Sequence, residues 1–203
     1  MRVRLRDLPG AEELYDLYAV PHDHQLYGYG HGLRVDVTVP LGVYALARQP
    51  MQRAAWIADL SCGNADIANR IARDHGNTDL WLGDFAQDPG YDYHGPIEQT
   101  LGQLGDHLHG LDIDLLDLFI CSETIEHLDD PDQVLADIRR ISRQLLLSTP
   151  IGETDAGNRE HLWGWDQDGV ADMLHIAGWD IATAQRIDVV LPDTYSYQVW
   201  LVR

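Results

Sequence analysis

From residue 54 onward the chain repeats one unit: a short apolar run that stops at small or acidic residues, then a segment with helical spacing. The runs cover 54–60, 79–82, a weaker stretch ending near Ile97, 115–121 and 144–148, and helical patterns cover 65–75, 99–109, 130–142 and 166–177. Strands joined by crossover helices lie in a parallel sheet covered on both faces, and so read as continuous apolar runs. The alternation predicts a doubly wound, mostly parallel α/β sheet. Two further runs, near 181–189 and 197–202, are joined by Leu191-Pro192-Asp193-Thr194, which has no room for a helix, so they are expected to form an antiparallel hairpin. Asp130-Pro131 is a helix start, with Asp as cap and Pro at the first helical position. Thr149-Pro150 is expected to stop the strand before it, and Gly178 to close the last helix.

Residues 1–50 lack this regularity and read as an N-terminal extension ahead of a domain over 51–203. A short helical pattern at 11–18 leads into a His/Tyr/Gly-rich loop through His31. Leu33-Arg34-Val35-Asp36-Val37-Thr38-Val39 then alternates like a strand, or else leads into a helix over 41–48. Gly28-Tyr29-Gly30-His31-Gly32 is not a phosphate loop, since no strand precedes it.

Charge narrows the function. Fourteen positive residues against 33 acids give a net charge of −19, and every positive residue is Arg. Such a surface repels phosphate backbones and anionic membranes. Without Lys there is no Schiff base and no P-loop. Cys62 and Cys121 make neither a disulfide framework nor a zinc cluster. No apolar run approaches the roughly 18–20 residues that span a bilayer, and the N-terminus lacks a secretory pattern, so a cytoplasmic protein is expected.

In a doubly wound sheet, ligands bind beyond the carboxyl ends of the strands, near the switch in strand order. The first run ends in Asp59-Leu60-Ser61-Cys62-Gly63-Asn64-Ala65, small residues at a helix N-terminus where backbone can approach a ligand. The second ends in Asp84, 21 residues after Gly63, a spacing that suits a carboxylate accepting from a ribose diol. Separately these are a turn and a cap; in this order they favour a nucleoside cofactor. Beyond the run at 115–121, Glu123, Glu126 and His127 are spaced i, i+3, i+4, so one helical turn would put them on one face as a divalent-cation site. Alternatively Glu123 orients the cofactor while Glu126 and His127 cap the next helix.

Residues from about 54 to 200 resemble the class I S-adenosylmethionine-dependent methyltransferases. The segment 59–65 is similar to that family's first motif, Leu82-Gly83-Asp84 to its ribose-binding acid, and Gly95-Pro96-Ile97-Glu98 to the segment beside the adenine. Cys121-Ser122-Glu123-Thr124-Ile125-Glu126-His127-Leu128 with Asp129-Asp130-Pro131 is similar to the motif after its fourth strand. The resemblance implies a Rossmann-like seven-stranded fold and S-adenosyl-L-methionine held by Asp59, Ser61, Cys62, Gly63, Asp84, Phe85, Pro96, Ile97, Cys121 and Ser122. It also implies that the loop 15–32, with Tyr15, Tyr18, Tyr27, Tyr29, His22, His24 and His31, folds over the cofactor as a lid; the alternative is a plain solvated loop.

Glu-x-x-Glu-His followed by His161 and the aromatic pair Trp163 and Trp165 resembles the metal-dependent 2′-O-methyltransferases that modify the 3′ end of small silencing RNAs. Ubiquinone-pathway O-methyltransferases share the first part. On that resemblance Glu123, Glu126, His127 and His161 are the metal ligands, with His127 and His161 catalytic. The ion would be Mg²⁺, Mn²⁺, Zn²⁺, Co²⁺ or Fe²⁺. The rival role for His161 is a substrate contact or base. The expected function is O-methylation of a small sugar, nucleoside or catechol-like acceptor, with no nucleic-acid or membrane partner. Two alternatives stay open. An RNA 2′-O-methyltransferase fits the metal motif against the charge, and a silent cofactor-binding protein fits Ser61 and Ala65, which stand where the family has glycines.

Overall fold

The structure, a computed structural model, describes residues 1–8, 28–47, 53–86, 88–154, 158, 160–189 and 196–203. The expected helix at 11–18, most of the His/Tyr loop, the boundary at residue 50 and the turn at 191–194 lie outside the described residues. Among those described, no helix is long and apolar enough to cross a membrane.

In chain order the elements are β1 (Arg2–Arg4), α1 (Gly28–Leu46), β2 (Ala55–Asp59), α2 (Asp66–His75), β3 (Thr78–Asp84), β4 (Tyr93–His94) and α3 (Ile97–Gly110). Then follow β5 (Leu118–Ser122), a 3₁₀ turn (Ile125–His127), α4 (Pro131–Ile141), β6 (Leu145–Ile151), β7 (Trp163–Trp165), α5 (Gln167–Ile176), β8 (Ile181–Ile187) and β9 (Ser196–Val202). The main sheet has seven strands in the order β4-β3-β2-β5-β6-β9-β8. All neighbours are parallel except β9, which runs antiparallel to both β6 and β8. The doubly wound sheet and its antiparallel hairpin are as the sequence predicts.

Alternation along the buried strands divides the core into two faces. Phe119 and Cys121 of β5 and Leu145 and Leu147 of β6 meet Leu104 of α3, Leu135 of α4 and Leu174 of α5. Leu118, Ile120 and Leu146 point the other way, onto Val35 and Val39 of α1 and Ile71 of α2.

The segment 33–39 is therefore helical, not a strand, and Gly28 to Gly32 belong to the same helix rather than to a loop. Val35, Val39 and Leu46 share a buried face although Pro40 interrupts the helix and its β-branched neighbours favour strand, so tertiary burial outweighs local propensity. At Gly42 a Cβ would collide with Ile71, so this glycine sets how closely α1 lies on α2. Thr149-Pro150 does not stop β6 either. Antiparallel pairing with β9 carries it to Ile151, with Pro150 opposite Tyr197 and its carbonyl taken by the buried Gln198 amide at 3.2 Å.

A feature absent from the sequence reading is a second, two-stranded sheet, β1 against β7. Three-residue strands leave no periodic trace. Arg2 and Arg4 lie 4.2 and 4.7 Å over the Trp163 ring, and Arg4 is paired with Asp129 at 2.7 Å.

At the opposite end of the sheet from the strand exits, Asp117 is fully buried. It accepts from both terminal nitrogens of Arg53 and from the Trp56 amide at 2.9 Å, which fixes how β2 and β5 start side by side. Asp117→Ala should cost about 2–3 kcal/mol, the range for losing one partner of a hydrogen-bonded ion pair whose other member is part-solvated. Urea unfolding measures this, and a loss below about 0.5 kcal/mol would rule out that role.

Candidate active site

Strand β2 lies between β3 and β5, so the order reverses there and three strands deliver their ends to one place: Asp59, Asp84 and Ser122. The loop after β2 is shaped by two left-handed residues, Gly63 (φ 53°) and Ala65 (φ 57°). Ala65 holds this glycine-like conformation, and its amide donates to the Cys62 carbonyl at 2.7 Å. Asp84 clamps the loop from β3: its carboxylate accepts from the Gly63 amide at 2.8 Å and from the Ala86 amide at 2.9 Å. Tyr91 donates its hydroxyl to the Gly63 carbonyl. From the other side Ser61 Oγ is 2.7 Å from Thr124 Oγ1, tying the loop to the segment after β5.

A cavity of about 440 Å³ opens over these ends. Ser61, Gly63, Asp84, Phe85, Pro96, Ile97 and Ser122 line it, as do Leu8, Glu98, Glu123, His127, Leu128 and Asp129. Asp59 and Cys62 face a small recess beside it, shared with His31, Arg34, Asp66 and both serines, Ser61 and Ser122. Cys121 lines neither; its side chain sits in the core cluster below.

Arg34 escaped the sequence reading. It is 3% exposed, and its guanidinium meets Ser122 Oγ, Ser148 Oγ at 3.3 Å and His31 Nδ1 at 2.9 Å. Its Nε finds no hydrogen-bond partner among the described residues. An arginine within an apparent strand carries no local sign of such a role.

Of the sequence-predicted metal residues, Glu123 and His127 line the cavity while the buried Glu126 and His161 do not; the four separate into three and one. Glu126, His127 and His161 bring one ligand atom each within 4.8 Å of one another. Glu123 stands outside this group, because no helical turn joins it to the others. Its φ of 53° lets its amide reach the Ser148 carbonyl at 2.9 Å, and the turn that follows is a short 3₁₀ segment. Its carboxylate accepts from Ser148 Oγ at 3.0 Å and lies 3.9 Å from Arg34.

Within the group of three, the imidazoles meet edge to face with centroids 4.9 Å apart. His127 Nδ1 is 3.0 Å from the Glu160 carbonyl, which can only accept, so Nδ1 carries the proton. His161 Nδ1 is 2.6 Å from Glu153 Oε2. Glu126 accepts from Thr149 Oγ1 at 3.0 Å through one oxygen, while the other, Oε1, is buried with no hydrogen-bond partner among the described residues and lies 4.0 Å from His127 Nε2. Imidazoles with oriented Nδ1–H groups beside an unsatisfied carboxylate oxygen fit a divalent cation.

Burial dominates the electrostatics. It raises Glu126 well above the usual carboxylate range, helped by the charge on Glu123, and it raises Glu123 against the opposing pull of Arg34. Asp59 is pushed up to about 8, first by burial, with the charge on Asp84 adding and the Ser61 amide and Arg34 opposing. An acid whose pKa is higher folded than unfolded stabilises at low pH, and that contribution fades as pH rises toward the folded value. Asp59→Asn keeps an acceptor for the Ser61 amide and has no proton to lose. Its stability relative to wild type should therefore grow from about pH 5 to pH 8, by more than about 1 kcal/mol, since one unit of pKa is worth about 1.4 kcal/mol. Urea midpoints measured across that range test this, and a constant difference would contradict it.

No protein-family model matches the sequence, and no curated protein matches it significantly. Solved structures do resemble it. The 1,6-didemethyltoxoflavin-N1-methyltransferase of Burkholderia thailandensis, solved with 1,6-didemethyltoxoflavin and S-adenosylhomocysteine, has a TM-score of 0.60 at 16% identity, over 100% of this chain and 94% of that one. The magnesium protoporphyrin IX methyltransferase of Synechocystis, with bound SAH, has a TM-score of 0.55 at 15% identity, over 86% and 85% of the two chains. The cyclase SpnF has a TM-score of 0.53 at 12% identity, over 81% and 80%. The protein thus has the Rossmann-like fold of S-adenosylmethionine-dependent methyltransferases, a fold that also houses a cyclase.

Proposed function

We propose that this protein is an S-adenosylmethionine-dependent methyltransferase acting on a hydroxyl oxygen of a small molecule, a sugar, nucleoside or catechol-like acceptor, with a divalent cation held by Glu126, His127 and His161. The observation that carries this reading is the continuity of one cavity from the Asp84–Gly63 clamp at one end to His127 at the other.

Asp84 suits a ribose diol, because a carboxylate has about four lone-pair sites and the two backbone amides leave capacity for hydroxyls. Phe85, Pro96 and Ile97 offer apolar surface for the adenine. Arg34 brings buried positive charge toward the Asp59 recess, where the carboxylate of the methionine moiety would sit, and the acid of Asp59 suits its ammonium group. When bound, S-adenosylmethionine supplies an electrophilic methyl group, and the cation would supply Lewis acidity at the acceptor hydroxyl. The chain's own work is alignment and exclusion of water. Leu8 and Leu128 close the apolar side of the cavity, and His127, the imidazole that lines it, would set where the acceptor oxygen lies.

A second reading is favoured by the short Glu153–His161 pair: His161 takes the acceptor proton as a base, with no cation needed. No arginine lines the cavity among the described residues, which with the charge of −19 favours a small acceptor over a nucleic acid.

Two measurements test the assignment. Asp84→Ala should weaken binding of S-adenosylhomocysteine by about 2–3 kcal/mol, the value of a charge-assisted pair; calorimetry within a factor of two of wild type would remove Asp84 from the cofactor site. Methyl transfer to a panel of sugars, nucleosides and catechols should stop in EDTA and return with one divalent metal, and alanine at Glu126, His127 or His161 should abolish that rescue. Full activity in chelator would instead select His161 as the base.

A further inference from the structure

Around His161 the hydrogen-bond directions leave one consistent arrangement. Asn158 Oδ1 accepts from the Glu160 amide at 2.9 Å, which fixes the orientation of its side-chain amide. Asn158 Nδ2 then faces His161 Nε2 at 3.0 Å, and an amide nitrogen only donates. His161 Nε2 is therefore an acceptor and the ring proton sits on Nδ1, directed at Glu153 Oε2, 2.6 Å away. Glu153 and His161 are both shielded, with side chains 12% and 5% exposed, so the contact is made out of reach of bulk water.

The backbone is arranged to put Glu153 there. Chain direction changes after β6 at Gly152, whose φ is 80° and whose amide is held by the Trp165 carbonyl at 2.7 Å. The next residue crosses β7 at Gly164, where a Cβ would collide with the Glu153 carbonyl oxygen. A left-handed glycine just past β6 and a glycine of β7 without room for a methyl group converge on one residue, Glu153. Nothing in the cofactor end of the cavity requires this.

We propose that Glu153 is the positioning residue of His161: it holds the imidazole as the Nδ1–H tautomer and so leaves Nε2, once the Asn158 amide is displaced from it, as the working nitrogen, with Gly164 providing the space in which Glu153 is seated. The proposal rests on the reading above in that Nε2 of His161 is taken to act there, on a cation or on a proton, and it holds for either. A carboxylate behind a metal-binding imidazole orients the ring and raises its basicity, and losing one typically weakens metal affinity 10–100-fold.

The test uses the full chain with ¹⁵N-labelled histidine and three variants. Long-range ¹H–¹⁵N spectra at alkaline pH identify which ring nitrogen carries the proton, with the His161 signals assigned by their loss in His161→Gln. Wild type should show Nδ1–H. Glu153→Gln, whose amide oxygen still accepts, should keep that tautomer, whereas Glu153→Leu should shift His161 toward Nε2–H. In parallel, Co²⁺ titration followed by its visible absorption should show affinity falling about 10-fold or more in Glu153→Leu, while S-adenosylhomocysteine binding stays at the wild-type value. An unchanged tautomer in Glu153→Leu overturns the proposal. Wild type that fails to bind Co²⁺ removes the cation reading alone, because the tautomer comparison still decides the role of Glu153.

Discussion

Three carboxyl groups, those of Asp59, Glu123 and Glu126, are shielded at the exits of adjacent parallel strands, and the site is arranged around that constraint. Parallel strands end on the same side, so residues that leave β2 and β5 are forced into proximity whatever their charge. Shielding raises the proton affinity of all three. Arg34 is the counterweight: it reaches in from α1, on a helix packed against the opposite face from α3, α4 and α5. The serines that hold its guanidinium, Ser122 and Ser148, are paired across β5 and β6. Positive charge at the strand exits thus comes from a helix, and its placement depends on the close fit of α1 to α2 at Gly42.

What could be read in the sequence follows from this division. The ends of β2, β3 and β5 were legible because a buried strand must stop being apolar where it meets the site, and Asp59, Asp84 and Ser122 mark those stops. The helix α4 was legible from Asp130, whose carboxylate caps it by accepting from the Gln133 amide at 3.1 Å. Arg34 and Glu153 were not legible, since the fold alone brings Ser122 and Ser148 to Arg34 and His161 to Glu153. The i, i+3, i+4 rule also failed at Glu123, for a local reason: β5 ends by turning through a left-handed residue to bond β6, and a helical turn cannot begin there. His127 and His161 nonetheless met, because the Leu162 amide is fixed to the Glu126 carbonyl at 2.6 Å and so draws the segment after β6 onto the 3₁₀ turn.

The small sheet of β1 and β7 belongs to the same design. The Leu5 amide bonds the Leu162 carbonyl at 2.7 Å, and Trp163 Nε1 donates to the Leu128 carbonyl at 2.9 Å. One short strand therefore carries Leu8 to the cavity while the other anchors the residue that follows His161. Arg2 and Arg4 hold this sheet by stacking on Trp163 and pairing with Asp132 and Asp129, so arginines in an acidic protein are used here as apolar-faced clamps rather than as a binding surface.

The field inside the cavity bears on which chemistry the proposed reaction needs. Asp84, Glu98, Glu123 and Asp129 line it, and no arginine does among the described residues. A negative field attracts a sulfonium, which would help to gather S-adenosylmethionine in the proposed reaction, but it would equally oppose an acceptor oxygen that is giving up its proton. Positioning alone does not relieve that opposition, because shielding strengthens the repulsion along with every other charge interaction. Relief has to be local and on the acceptor's side. The described residues there offer two imidazoles with oriented Nδ1–H groups and one unsatisfied carboxylate oxygen, a set that becomes favourable only when positive charge is added, as a cation or as a proton on a ring. An oxygen acceptor and an added positive charge are thus one requirement rather than two.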